Sequence, residues 1–561
     1  MAGNKKPKYI FVVGGVMSGV GKGVASSAIG TIMKARGFTV TALKIDPYIN
    51  LDAGTMNPTE HGEVFVLEDG DECDQDMGNY ERFLNIDLSR TNYMTTGRVY
   101  QEVIRRERNL HYEGRNVEVV PDIPKEVIRR IKKATKEAKA DVTLVEVGGT
   151  IGEYQNIIFL EAGRMLKHEN PDDVAFVMVS YLPIPSKVGE MKTKPTQYAA
   201  RSLNSVGIQA DVIIARSEVP LDAKRKEKIA VFCNVERENV ISAPDVDSIY
   251  DVPINFEKGN LGRALSDQLG LNHREKKTDL KQWSSFVTKG KRVSKEVNIA
   301  VVGKYFDSGD FVLSDVYISV LEALKISSFY QGVKPNIEYI SSEDFEGKNG
   351  TRNLKKLKRY DGVVIPGGFG TRGIEGKIRA VEFLRKNKIP YFGLCYGMQI
   401  AVIEFARNVV GLTGAGTTEM NESVADPVID IMPEQKKLIA RGEYGNTMRL
   451  GAYPAVLKKG TVAFDAYKTG EISERHRHRY EVNPDYIEKL TEAGLVFSGR
   501  SPDNRLMEIV ELPKKEHPFF LGTQFHPEFK ARPLAPHPLF SAFVKATLRQ
   551  KGAGATLKQK K

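Results

Sequence analysis

Three stretches in the second half of the chain carry residue types suited to nucleophilic chemistry. Gly393-Leu394-Cys395-Tyr396-Gly397 has the form G-x-C-x-G, after the apolar run Ile389 to Leu394 and before a helix predicted to begin near Met398-Gln399-Ile400. Glycines on both sides of such a turn let it be sharp enough to lift the thiol above a sheet, at a helix N-terminus where the thiolate is favoured. Gln524-Phe525-His526-Pro527-Glu528 follows the apolar stretch Phe519 to Gly522. It offers a base and, two residues on, a carboxylate to orient it. Pro366-Gly367-Gly368-Phe369-Gly370 supplies exposed backbone N–H groups for an oxyanion, and one such donor contributes about 3 kcal/mol. Cys395, His526 and Glu528 together read as a Cys-His-Glu constellation for acyl transfer.

The first half carries phosphate chemistry. Tyr9 to Val13 is an apolar run, followed by the glycine-rich Gly14 to Gly23 and then by a small and apolar stretch at helical spacing from Val24 to Lys34. Strand, glycine loop and helix, with Lys22 at the helix start, form a phosphate cradle of inward N–H groups. The strict pattern G-x-x-x-x-G-K-[ST] is not met: Val16 replaces its first glycine, and Gly23 replaces the hydroxyl residue that holds magnesium. Either the cradle takes its metal ligands from elsewhere, or it is a glycine-rich turn without function. Candidate substitutes are the acidic run Glu68 to Asp76 and Glu146, which closes the apolar strand Val142 to Val145 beside Gly148-Gly149. Lys44 and the segment Lys192-Thr193-Lys194-Pro195-Thr196-Gln197 also follow strands. Lysines converging on one crevice suit a site for two triphosphates.

The elements that must position these groups alternate strand and helix, so the fold class is α/β. Strands are expected at 39–45, 141–147, 174–179 and 210–215, and the series restarts at 297–303 with strands at 361–365 and 389–394. The expected domains are 1–271, a linker over 272–296 where Lys and Ser crowd and the single Trp283 lies, 297–548, and a disordered basic tail over 549–561. A chain of 561 residues calls for several cores. Its 82 Lys+Arg against 71 Asp+Glu, a net charge of +11, suit nucleoside triphosphates as well as nucleic acid. Three unpaired cysteines argue against a disulfide framework, and no apolar run reaches spanning length. A cytoplasmic protein that does not use membrane is expected.

Taken with Lys44-Ile-Asp-Pro-Tyr-Ile-Asn50, Gly62-Glu-Val-Phe-Val66, Tyr80-Glu-Arg-Phe83, Lys192 to Gln197 and Arg475-His-Arg-His-Arg-Tyr-Glu481, the elbow and its His-Pro-Glu partner resemble the CTP synthase family from about residue 8 to 547. The resemblance implies two doubly wound domains. The first is a P-loop-like, dethiobiotin-synthetase-like amidoligase with a mostly parallel sheet; the second is a class I glutamine amidotransferase. It implies that ATP phosphorylates UTP at O4, and that ammonia from L-glutamine passes through an internal tunnel and displaces phosphate to give CTP. Ser18, Gly19, Val20, Gly21, Lys22, Gly23, Lys44 and Asp76 would then meet ATP, and Asp76 with Glu146 would hold Mg2+. Ser18, Glu153, Tyr154, Gln155, Lys192, Thr193, Lys194, Gln197 and Lys228 would meet UTP or inhibitory CTP. Gly367 and Gly368 would form the oxyanion hole, with Gln399, Glu419 and Arg475 around glutamine. Arg372, Gly373 and Glu375 match a loop linked to activation by GTP. The resemblance further implies a homotetramer, often forming filaments, and no nucleic-acid partner. Two departures are visible: Tyr396 stands where leucine is common, and the acidic pattern at Glu153 to Gln155 is altered. Two rivals are a P-loop amidotransferase acting on cobalamin precursors and a switch ATPase with a glutaminase-like platform.

Overall fold

The computed structural model describes residues 6–15, 17–187, 189–271, 278–304, 307–308, 311–312, 314–368, 370, 372–441, 445 and 447–558. The chain forms two compact units: one from residues 1–51 and 76–287, the other from residues 52–75 and 288–561.

The first unit is built on a seven-stranded sheet in the order Tyr93–Thr95, Val40–Asp46, Val142–Val147, Lys8–Gly14, Val174–Tyr181, Val212–Ser217, Val240–Pro244. All its pairings are parallel. Val40–Asp46 is buried at every position, as expected of a strand covered on both faces by crossover helices. The central strand Lys8–Gly14 delivers the glycine loop to the helix Lys22–Ala35 at the carboxyl edge of the sheet, where doubly wound sheets bind ligands. The four expected strands lie within two residues of those observed. Tyr93–Thr95 and Val240–Pro244 were not expected; at three and five residues they are too short for a period to show.

Part of the expected linker is ordered in this unit. Lys281–Lys291 is a helix, and Trp283 is buried, donating its indole N–H to the Tyr250 carbonyl at 2.8 Å and packing on Phe83 at 5.0 Å between ring centroids. Trp283, Phe286 and Val287 form one short apolar stripe, too brief to stand out from the surrounding Lys and Ser. Residues 272–277 of that linker lie outside the described residues.

The second unit holds a nine-stranded sheet: Lys334–Ser341, Glu296–Gly303, Gly362–Ile365, Tyr391–Leu394, Phe520–Thr523, Met507–Glu511, Val496–Arg500, Arg449–Leu457, Glu471–His478. The first five are parallel neighbours and the last four extend the sheet antiparallel. A short hairpin, Val64–Val66 with Glu72–Asp74, also belongs here, although its sequence lies inside the expected first domain. The final helix, Pro538–Lys558, runs through most of the tail expected to be disordered. Ala and Lys in that stretch are good helix formers, and they outweigh Gly552 and Gly554. Among the described residues no helix is long and apolar enough to cross a membrane.

Candidate active sites

In the second unit, strand Tyr391–Leu394 ends at Cys395, and helix Tyr396–Phe405 begins at the next residue. Cys395 has φ 50° and ψ −100°, a conformation that L residues adopt only when their surroundings impose it. The surroundings do so through two glycines. A Cβ on Gly393 would lie 2.4 Å from the Tyr391 hydroxyl, and one on Gly397 would lie 2.2 Å from the Ile365 carbonyl oxygen. The elbow read from sequence is thus enforced by backbone contact.

His526 follows the neighbouring strand Phe520–Thr523, and its Nδ1 lies 2.7 Å from Glu528 Oε1. Its Nε2 is buried without a hydrogen-bond partner among the described residues. Burial alone would lower the imidazole pKa, but the charges of Glu528 and Cys395 outweigh it and raise it to about 10. An imidazolium beside a thiolate is what a cysteine nucleophile requires. The Cys395 Sγ accepts from Gln524 Nε2 at 3.6 Å and donates to the Arg477 carbonyl at 3.7 Å. A Cβ on Gly367 would sit 3.0 Å from His526 Cε1 and 3.7 Å from the Cys395 Cβ, so this loop lies directly against both residues.

Gln399 donates to the Tyr480 carbonyl at 2.8 Å and to Gln524 Oε1 at 3.2 Å, which places it one residue pair away from the thiol. Glu419 accepts from the Gly370 N–H at 2.9 Å. Burial raises its carboxyl pKa against the pull of that N–H and of Lys304 and Lys377. The expected role of Arg475 is not supported. Its guanidinium is fully buried, bonded to Glu68 Oε2 at 2.9 Å and to the Val66 carbonyl at 3.1 Å, so it anchors the 64–74 hairpin. Arg477 does the same through Glu72 at 2.8 Å. Arg479, next on that alternating face, donates to Gln435 Oε1 and Thr447 Oγ1. Both Arg479 and Glu419 act electrostatically on Tyr480, the residue whose carbonyl holds Gln399. Three arginines at a spacing of two made the choice among them ambiguous in sequence.

A cavity of about 70 Å3 opens from Cys395, Gly367 and His526 to a wall formed by Pro58, Glu63 and Val64. Glu63 fixes that wall by accepting from the N–H and hydroxyl of Ser319, at the start of helix Ile318–Tyr330. The residues expected to respond to GTP are engaged at the surface: Arg372 with Glu343 at 2.8 Å and with the Lys304 carbonyl at 2.6 Å, Glu375 with Arg407 at 2.9 Å. Gly373, at φ +71°, begins the helix Ile374–Lys386.

In the first unit Lys22 donates to the Gly149 carbonyl at 2.7 Å, and burial lowers its pKa. Lys44 donates to both Asp76 Oδ2 and, at 2.8 Å, Glu146 Oε1. Tyr80 donates to the other oxygen of Glu146. Burial pushes the Asp76 carboxyl pKa up, but the Lys44 charge and hydrogen bond overcome it and the net direction is down. A Cβ built on Gly23 would lie 2.0 Å from Asp76 Oδ1, so the carboxylate occupies the space where a P-loop hydroxyl residue would project. Two carboxylates within reach of one cation fit a magnesium ion that takes its other ligands from phosphate and water.

Of the expected pyrimidine-site residues, Glu153 caps Thr150 through its N–H at 3.0 Å and lies against Gly149, beside the cradle lysine. Tyr154, 95% exposed, and Gln155 point to solvent. Lys192 pairs with Glu190 at 2.6 Å, and Lys228 acts on the same carboxylate, so the structure does bring these two lysines together. Gln197 donates to Thr193 Oγ1 at 3.1 Å, where Thr193 precedes the helix Lys194–Ser205. Ser18 and Gly19 are exposed in the cradle, and Val20 is buried. A slot missed in sequence lies beside Gly21, walled by Val24, Ala243, Val246 and Phe256 and edged by Arg216, which pairs with Asp245 at 2.7 Å. Its residues come from four separate segments, so no motif announces it.

Residues 8–271 match the family model described as CTP synthase N-terminus, and residues 312–546 match glutamine amidotransferase class-I. A CTP synthase of Pyrococcus furiosus is 51% identical over 97% of this chain and 98% of its own length. The chain belongs to the CTP synthase family. A CTP synthase of Caldanaerobacter subterraneus subsp. tengcongensis is 50% identical over 97% of this chain and 99% of its own. A solved glutaminase domain of Trypanosoma brucei CTPS with bound acivicin is 40% identical, over 45% of this chain and 94% of that domain, with a TM-score of 0.41. As a CTP synthase, the protein is a glutamine-hydrolysing ligase that uses ATP and takes UTP and glutamine as substrates.

Proposed function

We propose that Lys22, Lys44, Asp76 and Glu146 hold magnesium-ATP for phosphorylation of UTP, and that Cys395 supplies the ammonia. The observation that carries this reading is the placement of Asp76 in the space left by Gly23, with Lys44 between Asp76 and Glu146. Magnesium, held by those two carboxylates, would neutralise the triphosphate and the charge that develops during transfer. With the carboxylates so engaged, Lys44 would be free to meet phosphate oxygens, as would Lys22. The slot beside Gly21, apolar and edged by Arg216, takes the adenine ring. Lys192, Lys228 and Gln197 receive UTP, or CTP as inhibitor, once Glu190 gives way to phosphate.

At the other centre the Cys395 thiolate attacks the carboxamide carbon, and the oxyanion is held by N–H groups of the Gly367-Gly368 loop. His526 gives its proton to the leaving nitrogen, ammonia departs, and water then cleaves the thioester to glutamate. Glu419 takes the α-ammonium of glutamine and Arg479 its α-carboxylate, the two charges that flank Tyr480. Ammonia enters the cavity walled by Pro58, Glu63 and Val64, on a segment that leads in sequence to Asp76. Arg372 and Gly373, on the loop adjoining Gly370, and Glu375, in the first turn of the helix that follows, respond to GTP as activator. Large apolar side chains left exposed in the first unit, among them Ile104, Leu110 and Tyr154, suit a homotetramer. Three free cysteines suit the cytoplasm. Following CTP from UTP and ATP, with and without magnesium and GTP, tests the reading. Magnesium-independent synthesis would contradict it.

A further inference from the structure

Lys377 lies in helix Ile374–Lys386, fully buried, and its Nζ has no hydrogen-bond partner among the described residues. A buried amine without an acceptor is costly, so its retention needs a reason. The Nζ lies over the ring of Tyr396 at 5.3 Å from the centroid, and Lys304 Nζ lies over the same ring at 5.8 Å. Lys304 also donates to the Gly370 carbonyl at 2.9 Å, while the N–H of Gly370 is held by Glu419. The ring of the residue after the nucleophile and the loop after Gly368 thus meet in one cluster of two lysines and one glutamate. We propose that Lys377 is a positioning residue for glutamine cleavage, its charged amine bracing the Tyr396 ring and so holding the turn that carries the neighbouring Cys395.

The cluster has a consequence for pH. Burial lowers the Lys377 pKa to about 7, with Lys304 pushing the same way and Glu419 opposing. Burial lowers that of Lys304 to about 8, against Glu419 and with Arg372. Glu419, Lys304 and the Tyr396 ring are the charged and titratable groups that face Lys377, and Arg372 faces Lys304. Raising the pH removes the positive charges from the ring face, and the cation–π contact goes with them.

The proposal rests on the role given to Cys395. Lys377→Met keeps the stem and removes the charge. It is expected to lower glutamine-dependent kcat about tenfold, with the glutamine KM changed less than about twofold and ammonia-dependent CTP formation intact. Lys377→Arg, charged at every pH, should restore kcat and remove the wild-type decline centred on about pH 7. In a Tyr396→Leu background Lys377→Met should cost nothing further. A wild-type kcat and pH profile in Lys377→Met, or an equal loss in the Tyr396→Leu background, overturns the proposal. If Lys377→Met does not fold, an unaltered decline near pH 7 in Lys377→Arg overturns it. Cys395→Ala, assayed beside these, separates the two ideas: retained glutamine-dependent synthesis there defeats the Cys395 reading, whatever Lys377 does.

Discussion

Gly23→Ala places a methyl carbon 2.0 Å from Asp76 Oδ1 and 2.6 Å from its Cγ. Ordinary contact begins at 3.4 Å, so the carboxylate must retreat by about 1.4 Å, away from the position it shares with Glu146 around Lys44. A misplacement of about 1 Å in a positioned group costs on the order of 100-fold in rate. The backbone here is helical, and replacing glycine by alanine inside a helix contributes about 1 kcal/mol of stability. That gain is set against the displaced Lys44–Asp76 ion pair, so the melt serves to establish that the variant is folded, and the folded variant should lose about 100-fold in CTP formation from both glutamine and ammonia. Glutamine hydrolysis at Cys395 should persist. The assay follows CTP at saturating magnesium beside a thermal melt. Synthesis within about threefold of the parent would refute the idea that Asp76 substitutes for the missing hydroxyl.

Glu528→Gln removes the charge that holds His526 protonated up to about pH 10. The imidazolium should then be lost at lower pH, so the alkaline limb of the glutamine-dependent rate moves down, and an unmoved limb would count against the pair. Arg479→Met should raise the glutamine KM by about 10- to 100-fold through loss of a charge-assisted contact, measured against unchanged ammonia-dependent synthesis. Arg475→Met should leave that KM nearly unchanged and instead lower the melting temperature, because it strips the hairpin 64–74 of its anchor to Glu68 and Val66.

Most of the candidate sites were legible because they are local. The elbow around Cys395, the His526–Glu528 pair and the cradle ending at Gly23 each lie within ten residues, and the strands that deliver them are long enough to show as apolar runs. The departure at Gly23 is informative as well, since Asp76, whose carboxylate fills the space beside it, lies in the acidic run Glu68 to Asp76. What was not legible depends on tertiary placement. Residues 52–75 leave one unit for the other because Arg475 and Arg477, about 400 residues away, pair with Glu68 and Glu72. The same repeat left open which arginine stays clear of the hairpin, since only Arg479 of the three bonds elsewhere, to Gln435 and Thr447. Trp283 read as linker because its partners, Phe83 and Tyr250, are remote in sequence. Lys377 has no motif at all, and only its burial against Tyr396 marks it.

The division of labour between the two centres is tested most directly by Cys395→Ala. With UTP, ATP and magnesium, CTP formation from glutamine should disappear while formation from free ammonia stays at the parental rate. Synthesis from glutamine that survives the substitution, or loss of both reactions in a protein that remains folded, would contradict the account.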